Sequence, residues 1–223
     1  MALQNENNTI GVVINDFLAA KRRFILIGFL AIIAIIVGVT VYLTITSKMH
    51  RTAATKVEEI RNEWVSEKEK NSENTGTKEN EIIQKLGKIA SSNKNSYAGT
   101  RAYTTIAEIY FSRKDWENAM KNYELGAESS KKTYLSGVNY FNAAVCADES
   151  GKQDLALDYY NKSTGAPEFP LQPRAMFNIG RLQEALSHTE EAIEAYNKLL
   201  EKFPNDNWAL LGKSRIIELS LSH

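Results

Sequence analysis

Residues 107–123 read AEIYFSRKDWENAMKNY, residues 144–160 read AVCADESGKQDLALDYY, and residues 180–196 read GRLQEALSHTEEAIEAY. Each segment begins with alanine or glycine, has an alanine twelve residues later, and ends in a tyrosine four residues after that alanine. The segments start 37 and 36 residues apart. Three matches in the same register identify an internal structural repeat.

The small residues of this repeat have a physical explanation. Two antiparallel helices that cross closely need small side chains where their backbones meet, and we place Ala119, Ala156 and Ala192 at such crossings. Gly151 lies where the turn between the two helices of the middle unit is expected, and Pro173 can occupy the first turn of a helix. No strand-like alternation follows, so the sequence predicts an all-α fold.

The repeat resembles the tetratricopeptide repeat (TPR). The residues that carry the resemblance are Tyr103, Ile106, Ala107 and Tyr110 in one unit, Met176, Ile179, Gly180 and Pro204 in another, and Trp208, Leu211 and Gly212 in a terminal half-unit. The resemblance implies an α-solenoid of helix pairs over residues 78–223, made of an initial helix, about three repeats and a C-terminal capping helix. The units exceed the usual length of about 34 residues, so we expect longer loops containing Pro167 and Pro170.

A membrane anchor is expected near the N-terminus. Residues 24–47 read FILIGFLAIIAIIVGVTVYLTITS and contain no charge. As a helix this stretch would extend about 36 Å, which is enough to span a bilayer with some tilt. A cleaved signal peptide has a shorter apolar region and a small-residue cleavage site. We therefore interpret residues 24–47 as an uncleaved transmembrane helix.

The flanking charges suggest an orientation. Lys21, Arg22 and Arg23 directly precede the span, whereas Lys48, Arg51 and Lys56 are dispersed after it. Contiguous cations favour a cytoplasmic N-terminus. The expected location is thus the inner (cytoplasmic) membrane, crossed once, with the C-terminal domain in the periplasm.

Two segments flank the span. Residues 1–23 form an expected amphipathic foot in the cytoplasm, whose apolar face comprises Ile10, Val13, Ile14, Phe17 and Leu18. Residues 48–77 are expected to form a juxtamembrane helix followed by a polar linker, NSENTGT, at residues 71–77.

Composition argues against several classes of function. Lys and Arg together number 27, as do Asp and Glu, so the chain lacks the excess positive charge that is typical of a nucleic-acid-binding protein. Cys146 is the single cysteine, and His50, His188 and His223 lack metal-ligand spacing. No nucleophile, base and orienting group can be named together. We expect no enzymatic activity, no metal, no cofactor and no small-molecule substrate.

The TPR resemblance implies a partner-binding groove lined by the first helix of each unit. The residues that this pattern places in the groove are Arg101, Thr105 and Glu108 in the first unit, Phe141, Asn142 and Val145 in the second, and Arg174, Phe177, Asn178 and Arg181 in the third. Aromatic and aliphatic side chains flanked by arginine suit an apolar protein segment with some acidic character. An alternative is that Phe141 and Phe177 belong to the core.

The layout of foot, anchor, helical linker and repeats resembles the bacterial YfgM-type proteins. At the level of amino-acid sequence, the resemblance lies in the stretch IASSNKNSYA at residues 89–98, ahead of the Ala107 unit. It implies a scaffold or adaptor ancillary to the export or folding of envelope proteins, with the secretion translocon or a periplasmic chaperone as partner. The alternative is a general cell-envelope scaffold for outer-membrane assembly or cell division.

Overall fold

The computed structural model describes residues 2–70 and 75–221 and divides the chain into two compact units, Met1–Met49 and His50–His223. Within the described ranges all regular structure is helical, as the repeat predicts. The helices are α1 (Ala2–Glu69), α2 (Thr75–Ser92), α3 (Tyr97–Ser112), α4 (Trp116–Ser129), α5 (Tyr134–Glu149), α6 (Gln153–Thr164), α7 (Gln172–Ala185), α8 (Thr189–Lys202) and α9 (Asn207–Leu221).

The first unit contains the uncharged part of α1. Its large apolar side chains are exposed, and the segment is long and apolar enough to cross a membrane. The hydroxyls of Thr40, Thr44 and Thr46 donate to carbonyls four residues earlier at 2.7–2.8 Å, so these polar groups are satisfied within the helix. The backbone is helical from Ala2, but the side chains of Ile10, Val13 and Ile14 lie outside the described residues, and the foot stays a prediction.

The second unit contains the repeats, which form the helix pairs α3/α4, α5/α6 and α7/α8 and end in α9. Ala119, Ala156 and Ala192 are fully buried. A Cβ atom added to Gly180 would lie 2.5 Å from the ring of Tyr196, closer than atoms can approach without displacement. The small residues therefore occupy close helix contacts, as the sequence pattern indicates.

The three turns within the helix pairs share one geometry. Lys114, Gly151 and Ser187 have φ angles of 58°, 73° and 63°, and the next residue of each donates its amide back to the preceding helix at 2.8–3.0 Å. This is the left-handed helix ending that glycine adopts most easily. Only the middle turn uses glycine, so the sequence does not show that Lys114 and Ser187 adopt the same left-handed conformation.

The domain boundary expected at residue 78 is wrong. Val57, Ile60 and Trp64 are buried in one cluster with apolar residues of α2 and α3. The indole Nε1 of Trp64 donates to Glu79 at 2.9 Å, and Arg113 donates to the other oxygen of that buried carboxylate at 2.6 Å. The C-terminal part of α1 thus pairs with α2 as part of the repeat domain. Residues 75–77 are helical rather than linker, and residues 71–74 lie outside the described ranges.

This boundary can be tested by truncation. A fragment spanning residues 50–223 retains the buried face of α1 and is expected to unfold cooperatively. A fragment starting at residue 78 exposes Ile82, Leu86 and Ile109, and burial of each such side chain contributes about 1.5–3 kcal/mol. We expect a clearly lower melting temperature by circular dichroism for the shorter fragment. Equal melting temperatures would show that residues 50–69 are not part of the core.

The close contact at Gly180 gives a second test. Gly180→Ala adds a methyl group against Tyr196, and overpacking costs about 1–3 kcal/mol. The matched control is Gly87→Ala on α2, where an added Cβ meets nothing within 4 Å and should gain up to about 1 kcal/mol of helix propensity. Urea unfolding should therefore show opposite signs for the two variants. The same sign for both would contradict a tight crossing at Gly180.

Candidate functional site

The candidate site is the surface formed by α3, α5, α7 and α9, which we call the first-helix face. The family pattern assigned ten residues to it, and the structure divides them into three groups. The first-repeat residues are paired with α1 or buried, Phe141 is buried in the core, and the remaining six residues stay at least partly exposed.

The first-repeat residues are either paired with α1 or buried. The guanidinium of Arg101 donates to Glu58 at 2.8 Å, and Arg61 donates to Glu108 at 3.2 Å. Thr105 is fully buried and donates its hydroxyl to the backbone carbonyl of Arg101. The hydrogen bond from Arg101 also lowers the pKa of the Glu58 carboxyl. Thr105 is thus not a groove residue, because it is buried, whereas Arg101 and Glu108 stay partly exposed with their charges already paired to α1.

In the middle repeat, Phe141 is a core residue, which is the alternative considered from the sequence. Its side chain is 3% exposed and packs edge-on against Tyr160, with ring centroids 5.4 Å apart. The long loop after α6 brings in Phe169, which is also buried and lies 6.1 Å from Phe141. Asn142 and Val145 remain partly exposed on the same helix. The sequence left the groove and the core open for Phe141, because it gives no sign that this loop folds back.

The third repeat holds the accessible part of the face. Phe177 is half-buried between Tyr196 and Trp208, with centroid distances of 5.5 and 5.2 Å. The exposed guanidinium of Arg174 lies over two rings, 5.3 Å from the centroid of Phe141 and 5.6 Å from that of Trp208. Cation–π contacts of this kind hold a guanidinium in place without neutralising it.

Arg174 has no ion pair and no hydrogen bond to any residue within the described ranges, so its donors are available to a ligand. Arg181 differs, because it is paired with Asp148 of α5 and donates to Asn178 at 3.3 Å. Arg181 therefore ties α5 to α7. Of the two arginines expected to recognise an acidic partner, only Arg174 is positioned to do so.

Trp208 is a site residue that the sequence assigned only to the capping helix. Its helix, α9, is fixed to α7 by Arg215, which donates to Glu184 through Nε at 3.2 Å and through a second nitrogen. Tyr196 donates to the same carboxylate at 2.6 Å. Partial burial disfavours the Glu184 anion, but these hydrogen bonds outweigh it and lower the pKa of the carboxyl. The network therefore holds Trp208 against Arg174.

The cysteine and the histidines were also considered as reactive or metal-binding residues. Burial raises the pKa of the Cys146 thiol to about 12, so the reactive thiolate is scarce at neutral pH. His188 lies at the start of α8 with Nδ1 2.9 Å from Gln183. Among the described residues, no three His, Cys, Asp or Glu side chains are grouped as metal ligands. His223 lies outside those residues.

The chain is similar to known proteins in both sequence and fold. A family model described as a tetratricopeptide repeat-like domain matches residues 15–222. A TPR repeat-containing protein of Treponema pallidum (strain Nichols) is 37% identical over 228 aligned residues, covering 95% of each chain. The crystal structure of MamA protein superimposes with a TM-score of 0.51 at 13% identity, covering 75% of this chain and 86% of that one, a likeness of fold alone.

The Glu184 network predicts a pH dependence. Because folding lowers the pKa of Glu184, its contribution to stability is present above the unfolded value of about 4.5 and is lost as the pH falls through the folded value. Between pH 7 and pH 3, Glu184→Gln should lose less stability than the wild type in urea titrations. The exposed Glu59→Gln variant serves as the control and should lose as much as the wild type. Parallel losses in all three proteins would contradict the network.

Proposed function

We propose that this chain, which belongs to the tetratricopeptide repeat-like family, binds other proteins. Domains of this family are in general non-catalytic scaffolds for protein–protein interaction. The proposed function is that of a membrane-anchored adaptor. Its repeat domain binds a segment of a partner protein on the first-helix face.

One observation carries the proposal: Arg174 is exposed, held between two aromatic rings, and free of any carboxylate within the described part of the chain. Phe177 and Trp208 provide apolar surface beside it. Aromatic and arginine side chains are the residues that most often dominate protein interfaces. The favoured ligand is a protein segment with apolar side chains and at least one acidic side chain that reaches Arg174.

The anchor and its orientation complete the proposal. Residues 24–47 hold the protein in the inner membrane, with the N-terminus in the cytoplasm and the repeat domain in the periplasm. The uncharged segment and the cations at residues 21–23 support this arrangement. The role that follows is ancillary to the export or folding of envelope proteins, with the translocon or a periplasmic chaperone as partner. The resemblance to YfgM-type proteins supports this role.

The specificity can be tested with synthetic peptides and the fragment spanning residues 50–223. Apolar 12-residue peptides are made in pairs that differ only by Asp or Asn at one position. We expect the Asp form of the best binders to bind more tightly by fluorescence anisotropy. Arg174→Glu should weaken the binding of the Asp form by about tenfold or more, because a favourable charge pair becomes a repulsive one.

Lys121→Glu is the matched control, since it reverses one exposed charge on the second helix α4. It should leave binding unchanged, and both variants should keep the wild-type melting temperature, because exposed substitutions usually change stability by less than about 0.5 kcal/mol. Equal weakening by both variants, or no preference for Asp over Asn, would contradict recognition at Arg174.

A further inference from the structure

Two loops between successive helix pairs have similar sequences. Residues 92–97 read SNKNSY and residues 129–134 read SSKKTY, and the two loops occupy equivalent places in the repeat. The side chains of Ser96 and Thr133 cap the helices that follow, accepting amide hydrogens at 3.2 and 3.3 Å. Each of those helices begins with a tyrosine that is about half exposed, Tyr97 at 57% and Tyr134 at 48%.

The lysines of these loops are largely free of partners. Lys94 and Lys132 are exposed and form no ion pair with a described residue, whereas Lys131 pairs with Glu128 at 2.5 Å. Between the loops lies an open cavity of about 760 Å³ that these three lysines border. Tyr103 and Leu125 form part of its lining. Glu128 also lines the cavity and is the partner of Lys131, so Lys94 and Lys132 supply its unpaired positive charge.

The loops lie at one particular end of the repeat domain. Within that domain α1 runs antiparallel to α2, as the pairs Glu67–Lys78 and Glu63–Lys85 show, and parallel to α3, as Glu58–Arg101 and Arg61–Glu108 show. His50 is thus at the same end as the C-terminus of α2, the N-terminus of α3 and the two loops. The chain passes from this end to the uncharged segment, whose last residue, Ser47, precedes His50 by three positions.

Other charges distinguish this end from the opposite one. Arg51 and Lys56, at the start of the domain, are exposed and have no carboxylate partner in the described part of the chain. The turns at the opposite end carry Lys114 and Lys152, but these are followed closely by Asp115 and Asp154. Arg51, Lys56, Lys94 and Lys132 thus place unpaired positive charge at the end from which the chain leads to the anchor, where the exposed Glu168 of the α6–α7 loop offsets part of it.

We propose that the loops at residues 92–97 and 129–134 bind the anionic headgroups of the membrane in which the protein is anchored. The lysines attract headgroup phosphates, and the exposed tyrosines insert at the interface, where tyrosine is enriched in membrane proteins. This inference rests on the proposed anchor but not on the first-helix face. A second contact with the lipid surface restrains the domain, which leaves fewer orientations in which the first-helix face can meet a partner.

The test uses the full chain in lipid nanodiscs that contain either phosphatidylcholine alone or phosphatidylcholine with phosphatidylglycerol. Acylation of individual lysines by an amine-reactive ester is followed by mass spectrometry. Lys94 and Lys132 should react at least about threefold more slowly in the anionic discs, because headgroup binding shields them. Lys114 and Lys152 should react equally in both. Equal rates for Lys94 and Lys132 in the two lipids would overturn the proposal.

A variant pair provides the matched control. Lys131, which borders the same cavity, should also be labelled more slowly in the anionic discs. Lys94→Glu with Lys132→Glu should abolish this slowing, whereas Lys114→Glu with Lys152→Glu should preserve it. If both pairs abolish it, the effect reflects net charge and the proposal fails. A chain that does not enter the discs refutes the anchor and the proposal together. Peptide binding by the same variants tests the first-helix face separately and should be unchanged in both.

Discussion

The C-terminal half of the repeat domain depends on the fit of one ring, that of Tyr196, into the space left by two glycines. A Cβ atom on Gly180 would lie 2.5 Å from this ring, and one on Gly212 would lie 3.1 Å from it. Tyr196 therefore sets the distance of α8 from both α7 and α9. Its hydroxyl also donates to Glu184, so the polar end of this side chain is hydrogen-bonded at the helix contact.

The accessible binding surface follows from this packing. Tyr196 supports Phe177, and Arg215 with Glu184 fixes α9 so that Trp208 faces Arg174. A guanidinium held by two aromatic rings loses less side-chain freedom on binding than one on a mobile arginine. The first repeat does not provide such a surface, because Glu58 and Arg61 of α1 already pair with Arg101 and Glu108.

The sequence predicted features that repeat and missed those that occur once. The spacing of Ala119, Ala156 and Ala192 defined the helix pairs, because close crossings impose the same small residue in each unit. The contact between Trp64 and Glu79 belongs to no repeat and joins residues that no pattern relates. The burial of Phe141 likewise depends on Phe169, whose loop folds back in a way that local sequence does not encode. The repeat therefore revealed the scaffold but not which part of its surface stays open.

In the proposed function, the partner binds the first-helix face beside Arg174. Photocrosslinking in living cells from a photoreactive residue at position 178 on α7 tests it most directly, with position 197 on the exposed side of α8 as the comparison. We expect one discrete protein adduct from position 178, its loss when Arg174 is changed to Glu, and no such adduct from position 197. An adduct of equal yield from both positions, or one from position 178 that survives Arg174→Glu, would contradict it.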